Sequence, residues 1–269
     1  MNNSLKHVCS ECVDVINGKK NYLSRSETSE EAPKSDYFDF EKEKGYMKYY
    51  ELHLEKTFKK FLTTMKSRFY SKKFLKYFKK KDEDFSEEEW QTIIDVISVS
   101  AIIEVLKNRN TGVARRTYGG VIDSMVSIHG KSPISRKIPS SIKGTVNRKA
   151  KSLAENKKIQ IDSKLGMMVS YGKSKNMSNK VIMGGIEKYF KKLSGYESKR
   201  IARTETVDCA NLAALNVYEK YGIELLAIKT QQNACPICLS LASNNPYEFD
   251  NCPLPTFHPL CGCFIEPVF

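Results

Sequence analysis

One arrangement near the C-terminal end constrains this chain more than any other: Cys235-Pro-Ile-Cys238, then nineteen residues, then His258-Pro-Leu-Cys261-Gly-Cys263. Tetrahedral zinc is bound by thiolate and imidazole ligands drawn from two such clusters. A Cys-x2-Cys turn puts both sulphurs on one side of a tight knuckle, and His258 and Cys261, three apart, can do the same in a second turn. Cys261 and Cys263 point the same way if their segment is extended, because strand side chains repeat every second residue. Cys235, Cys238, His258, Cys261 and Cys263 are thus five candidate ligands for four places. The alternative is a disulfide cluster or a set of buried free thiols. The N-terminus has no long apolar core and is not read as a secretory signal, so the thiols are expected to stay reduced, which favours a metal.

Charge is spread unevenly. Residues 41–80 carry 13 basic and 4 acidic side chains, and residues 131–200 carry 18 and 4. Residues 222–269 hold one basic residue, Lys229, against four acids. A phosphate-rich partner therefore meets the middle of the chain, not the metal module. Lys59, Lys60, Lys72, Lys73, Lys79, Lys80, Arg148, Lys149 and Lys151 are the candidate contacts to double-stranded DNA, without sequence preference. No run of eighteen apolar residues occurs, so no transmembrane helix and no membrane partner are expected.

Periodicity places the elements. Residues 1–40 are rich in Ser, Glu and Thr from Ser24 to Ser35 and read as flexible. They include a small group, His7, Cys9 and Cys12, which lacks a nearby fourth ligand and is read as exposed or partly packed thiols. Tyr46, Tyr50, Leu54, Phe58, Phe61, Met65 and Phe69 recur at three- and four-residue steps, predicting an amphipathic helix over 41–80 with a break near Ser71. Ser86 and Glu89 form a capping box for a helix whose apolar face runs from Trp90 to Val105 and which Asn110-Thr-Gly112 ends. Gly119-Gly120 weaken the next helical stretch, predicting a bend or a close helix crossing. Residues 131–180, interrupted by Pro133, Pro139, Gly144, Gly166 and Gly172, are expected to form short helices with a polar, mobile linker.

A helix follows over 178–193, with Val181, Ile182, Ile186, Phe190 and Leu193 on its apolar face and Gly195 closing it. The next spans about 197–221, with Gly222 as its C′ residue. Inside it, Arg203 can pair with a carboxylate on a neighbouring element, with Glu205 facing elsewhere on the turn, although helical Arg and Glu are most often solvated. Residues 223–228 and 264–269 read as strands. The fold class expected is mainly α with a small C-terminal α+β module: long amphipathic helices, then a short β-sheet pinned by a Cys/His knuckle holding structural Zn2+. Three regions result: a flexible segment 1–40, a basic helical body 41–195, and a helix plus zinc-knuckle module 196–269.

In order, Arg203-Thr204-Glu205, Ala210-Asn211, Gly222-Ile223, Cys235-Pro-Ile-Cys238 and His258-Pro-Leu-Cys261-Gly-Cys263 resemble the phage Mu F-like head-morphogenesis family, minor head proteins of tailed bacteriophages. The resemblance covers residues 178–269 well and 41–177 only in kind. Gly262 stands where the family usually has Arg, and Leu226, Ala227 and Ile228 stand where it often has a Trp. The resemblance implies a low-copy virion protein inside the head near the portal, present in the host cytoplasm during assembly, and assisting head assembly, DNA packaging or genome ejection. Its implied partners are the portal and the scaffold or major capsid protein, with several copies around the portal. Some relatives carry an enzymatic domain after the motif. This chain, ending at Phe269, is expected to lack one.

The rival reading is a zinc-dependent nucleic-acid enzyme or a zinc-finger DNA-binding protein. A base deaminase needs His-x-Glu and Pro-Cys-x2-Cys. His53-Leu-Glu55 lies roughly 180 residues before Cys235, and the proline follows Cys235 instead of preceding it. A zinc hydrolase needs an open coordination position, which five protein ligands close. A zinc finger needs basic side chains beside the metal, where only Lys229 stands. The chain is therefore read as a structural and assembly protein, not an enzyme.

Overall fold

The computed structural model describes residues 40–69, 85–95, 97–231 and 234–269. His7, Cys9, Cys12, the segment before residue 40, the expected break near Ser71, and Lys72, Lys73, Lys79 and Lys80 lie outside them. Helices dominate: α1 (Phe40–Phe69), α2 (Glu87–Ile94), α3 (Val99–His129), α4 (Ser140–Ser174), α5 (Asn179–Lys192), α6 (Ser198–Lys220) and the short α7 (Pro236–Ala242). Strands β1 (Leu225–Lys229), β2 (Tyr247–Glu248) and β3 (Phe264–Val268) make one antiparallel sheet in the order β2-β1-β3. None of these helices is long and apolar enough to cross a membrane.

The chain gathers into two compact units that alternate along the sequence. One takes Lys48–Arg109 and Asn147–Lys199; the other takes Asn110–Val146 and Arg200–Phe269 with the described residues up to Met47. In the first, the periodic stripe of α1 is the core face: Tyr50, Leu54, Phe58, Phe61, Met65 and Phe69 are all buried. Phe69, Phe85 and Trp90 pack ring against ring, with centroids 5.3–5.8 Å apart. Ser86 and Glu89 close their capping box, each side chain bonded to the other's backbone N–H. Lys157, nearly buried, pairs with Glu197 at 3.2 Å.

Helix boundaries depart from the sequence expectation where polar or flexible residues meet a continuous buried face. The helix begun at Ser86 stops at Ile94 instead of running on to Val105, and Ser98 then caps α3 through the backbone N–H of Ala101. Asn110-Thr-Gly112 does not end α3, which continues to His129. Asn110 is fully buried and gives its amide to Glu205 at 2.8 Å, so it holds the helix in place instead of breaking it. Gly119 marks no close crossing, since the position of its absent Cβ is open.

The largest correction concerns residues 131–180. Instead of short helices and a mobile linker, Ser140–Ser174 is one 35-residue helix. Ile142, Val146, Ala150, Ala154, Ile161, Leu165 and Val169 are buried along it at four- or seven-residue steps. Each glycine in a helix costs about 1 kcal/mol against Ala, whereas burying a large aliphatic side chain gains about 1.5–3 kcal/mol, so the face wins. Gly172 is required by space: a Cβ there would lie 2.5 Å from Ile182 Cγ1. Gly195 does not close α5 either. A π-turn, Leu193–Glu197, absorbs it and leads straight into α6. Val181, expected on the apolar face, is exposed, and Met183 is buried in its stead.

The second unit holds the sheet. α6 buries Val207, Cys209, Ala210, Ala213, Ala214, Val217 and Tyr218 against Val113, Tyr118, Val121 and Ile122 of α3 and against Leu226, Phe264 and Ile265 of the strands. Gly222, at φ +67°, ends α6. The N–H of Ile223 returns to the Tyr218 carbonyl and that of Gly222 to Glu219, the paired bonds of a Schellman cap. β1 is central, in register with β3 from Leu225↔Val268 to Lys229↔Phe264. Pro267 is tolerated because β3 is an edge strand.

Candidate metal centre

Local structure explains how each ligand is aimed. Pro236 occupies the first turn of α7, where a missing N–H is harmless. That leaves Cys235 at the N-cap and Cys238 one turn on, with the N–H of Leu239 closing the turn on the Cys235 carbonyl at 3.0 Å. Across the cluster, the N–H of Cys261 closes a turn on the His258 carbonyl at 3.0 Å. Leu260, at φ +66°, reverses the chain between them.

The resulting distances bring the ligand atoms within metal-binding reach of one another. Sγ of Cys238 lies 3.7 Å from Cys235 Sγ and 3.8 Å from Cys261 Sγ. Zinc–sulphur bonds of about 2.3 Å at tetrahedral angles put sulphurs about 3.8 Å apart. His258 Nε2 stands 3.3 Å from Cys235 Sγ and 3.2 Å from Cys238 Sγ, while its Nδ1 meets the Pro259 carbonyl at 2.9 Å. A metal-binding histidine commonly donates its second ring N–H to such a carbonyl. Two ligand groups emerge, Cys235–Cys238–His258 and Cys238–Cys261–Cys263, each with its ligand atoms within 4.8 Å of one another. Cys238 belongs to both. All five predicted ligands therefore come together, and every described cysteine is a free thiol, so the disulfide alternative is set aside.

Electrostatics in the cluster follow from thiols facing thiols. Hydrogen bonds from Cys238 and Cys263 hold the Cys261 pKa far below the usual thiol value. Those with Cys261 and Cys263, together with burial, drive Cys238 up. The bond from Cys238 lowers Cys263, but the bond to Cys261 and burial outweigh it, pushing it up to about 12. Burial lowers His258, yet its bonds to Cys261 and the Pro259 carbonyl push it up to about 9.

No family model, no curated protein and no solved structure matches the chain.

The surroundings include residues that sequence reasoning passed over. Asn211 is buried on α6, and its side-chain amide donates to the Cys263 carbonyl at 3.1 Å and accepts from the Ile265 N–H at 3.0 Å. It fastens the ligand strand to the helix. Asn245 does the same for β1, exchanging two hydrogen bonds with the Ile228 backbone at 2.8 and 2.9 Å. Arg203 Nη2 donates to Gln231 Oε1 at 2.6 Å. Thr204 Oγ1 accepts from the Leu260 N–H at 3.1 Å. Glu205 faces another way and takes the Asn110 amide. Only the Asn in a helix, and polar residues repeated on one face, could have signalled this.

Other candidates lie apart from the cluster in the sequence and belong to the first unit. Lys59, Lys60, Arg148, Lys149 and Lys151 are exposed, with Lys59 paired to Glu55 and Lys151 to Glu155. His53 stacks edge-on against Tyr49 and bonds Arg109 at 3.1 Å, and Glu55 is engaged by Lys59. Glu248 and Asp250, the acids between the two ligand pairs, are exposed.

Proposed function

We propose that this chain is a structural minor head protein of the phage Mu F-like kind, with a C-terminal module clamped by structural zinc. In that role it assists head assembly, DNA packaging or genome ejection from inside the head near the portal. The observation that carries this reading is convergence. Arg203, Thr204, Asn211, Cys235, Cys238, His258, Cys261 and Cys263, which carry the resemblance as separate motif pieces, gather in one unit around one thiol cluster. Thiol-rich donor sets leave no labile water and serve structure more than catalysis. The bound ion would hold α7 and the ligand strand together. Glu205, the carboxylate of the motif, is occupied by Asn110 and is not poised as a base.

Exposed Lys59, Lys60, Arg148, Lys149 and Lys151 suit weak, sequence-independent contact with packaged DNA, with affinity falling steeply with salt. The decisive experiment pairs metal analysis of the purified chain with affinity capture from assembling particles. Near-stoichiometric zinc together with co-capture of the portal supports the proposal. Metal without portal, capsid or DNA association would leave a zinc module and refute the head role.

A further inference from the structure

A divalent ion held by three thiolates and an imidazole carries a surplus negative charge, and four thiolates make it larger. Buried unbalanced charge is expensive. Residues 222–269 supply one basic side chain, Lys229, and it pairs with Glu266 at 3.4 Å. A balancing cation must come from another part of the unit, and α6 provides one. The partly buried Arg203 donates to Gln231 at 2.6 Å. The Gln231 carboxamide in turn lies directly against Gly262, between Cys261 and Cys263: a Cβ on Gly262 would sit 2.4 Å from Gln231 Cδ. The adjacent Thr204 holds the Leu260 N–H, one residue before Cys261. Arg203 is also close enough to Cys261 and Cys263 for their charge to act on it, opposing the effect of burial.

We propose that Arg203 is an outer positioning residue of the metal centre, balancing its thiolate charge, and that Gln231, admitted by the missing side chain at Gly262, holds the guanidinium over the Cys261-Gly262-Cys263 turn. This rests on reading the thiol cluster as a metal site. It divides the Arg-Thr-Glu motif into separate roles. Arg203 balances the ligand strand, Thr204 fixes its entry, and Glu205 anchors to α3.

Co2+ tests it, because its visible absorption reports tetrahedral thiolate ligation. Affinity for Co2+ and Zn2+ is measured by chelator competition for the full chain and for Arg203→Met, Arg203→Lys and Gln231→Ala, with circular dichroism confirming the fold. Loss of an outer-shell partner lowers metal affinity about 10- to 100-fold. Arg203→Met should show that loss, Arg203→Lys should recover most of it, and Gln231→Ala should fall between. Arg203→Met binding as tightly as wild type, with an unchanged spectrum, overturns the inference; so does an Arg203→Lys no better than Met. Should Arg203→Met not fold, Gln231→Ala decides: weakened binding supports the proposal and wild-type binding overturns it. A wild-type chain that takes up neither ion sinks the metal reading itself, and is told apart because no variant need be compared.

Discussion

Asn211→Ala isolates the bracket between α6 and the ligand strand. The substitution removes the partner of two buried backbone groups, the Cys263 carbonyl and the Ile265 N–H. Each buried group left without a partner costs about 1–3 kcal/mol, giving about 2–6 kcal/mol together. The third bond, to the Val207 carbonyl at 3.0 Å, adds little, since that oxygen also faces the helical ladder. Ala is the better helix former by up to about 0.7 kcal/mol, so the net loss is about 1.5–5 kcal/mol. Typical domains have about 5–15 kcal/mol in all, and the shift should be plain. The chain's one Trp, Trp90, lies in the other unit, so its fluorescence is the wrong reporter. Hydrogen exchange of residues 264–268 during urea unfolding, at saturating zinc, reads the correct segment. Asn211→Leu, which leaves no room for a rescuing water, should lose at least as much. A change below about 0.5 kcal/mol in both variants would refute the bracket, and with it the account of how the sheet is fixed to α6.

Three further outcomes follow from the geometry. Cys238→Ser should abolish metal uptake, because Cys238 belongs to both ligand groups, whereas Cys252→Ser should leave it intact; metal analysis after gel filtration distinguishes them, and equal retention would contradict the shared role. Gly172→Ala should destabilise by about 1–3 kcal/mol through its clash with Ile182, while Gly119→Ala, in open space, should stabilise by up to about 1 kcal/mol; thermal melts showing the same sign for both would defeat the argument. Burial, and secondarily Glu197, raise the Tyr189 pKa to about 12, above its unfolded value near 10. The neutral phenol therefore contributes stability fully present below pH 10 and lost as pH rises from 10 towards 12. In that window Tyr189→Phe should unfold less steeply with pH than wild type, and parallel curves would count against it.

Which features can be read from the sequence follows from how local their causes are. The α1 stripe, the Ser86–Glu89 box, the Gly222 cap and the two strands each depend on residues within a few positions of one another, and each is legible. So is the clustering of the five candidate ligands, since Cys-x2-Cys and His-x2-Cys are turns that aim their own side chains. The length of α4 is not. Its glycines are visible in the sequence, but the neighbours that bury Ile142 through Val169 are distant in the chain, and they outweigh the glycine penalty. Asn110 reads as a stop because its partner, Glu205, is 95 residues away. Gln231, which accepts from the Arg203 guanidinium, is 28 residues away. The alternation of the two units along the chain leaves no local trace at all.

That alternation has a consequence for biosynthesis. The first unit is complete once Lys199 has been made. The second, apart from its residues up to Met47, is built from Asn110 onward, yet its β3 starts only at Phe264, 118 residues after Val146. At about 5–20 residues per second, about 6–24 s pass between Val146 and the start of the unit's last strand, with the apolar residues Val113, Tyr118, Val121 and Ile122 already made. The thiols of the candidate metal cluster emerge in that same late interval. Metal supply and chaperone protection of the nascent chain therefore act on the same half of the molecule, and shortage of either should show first as aggregation of newly made protein while mature copies persist.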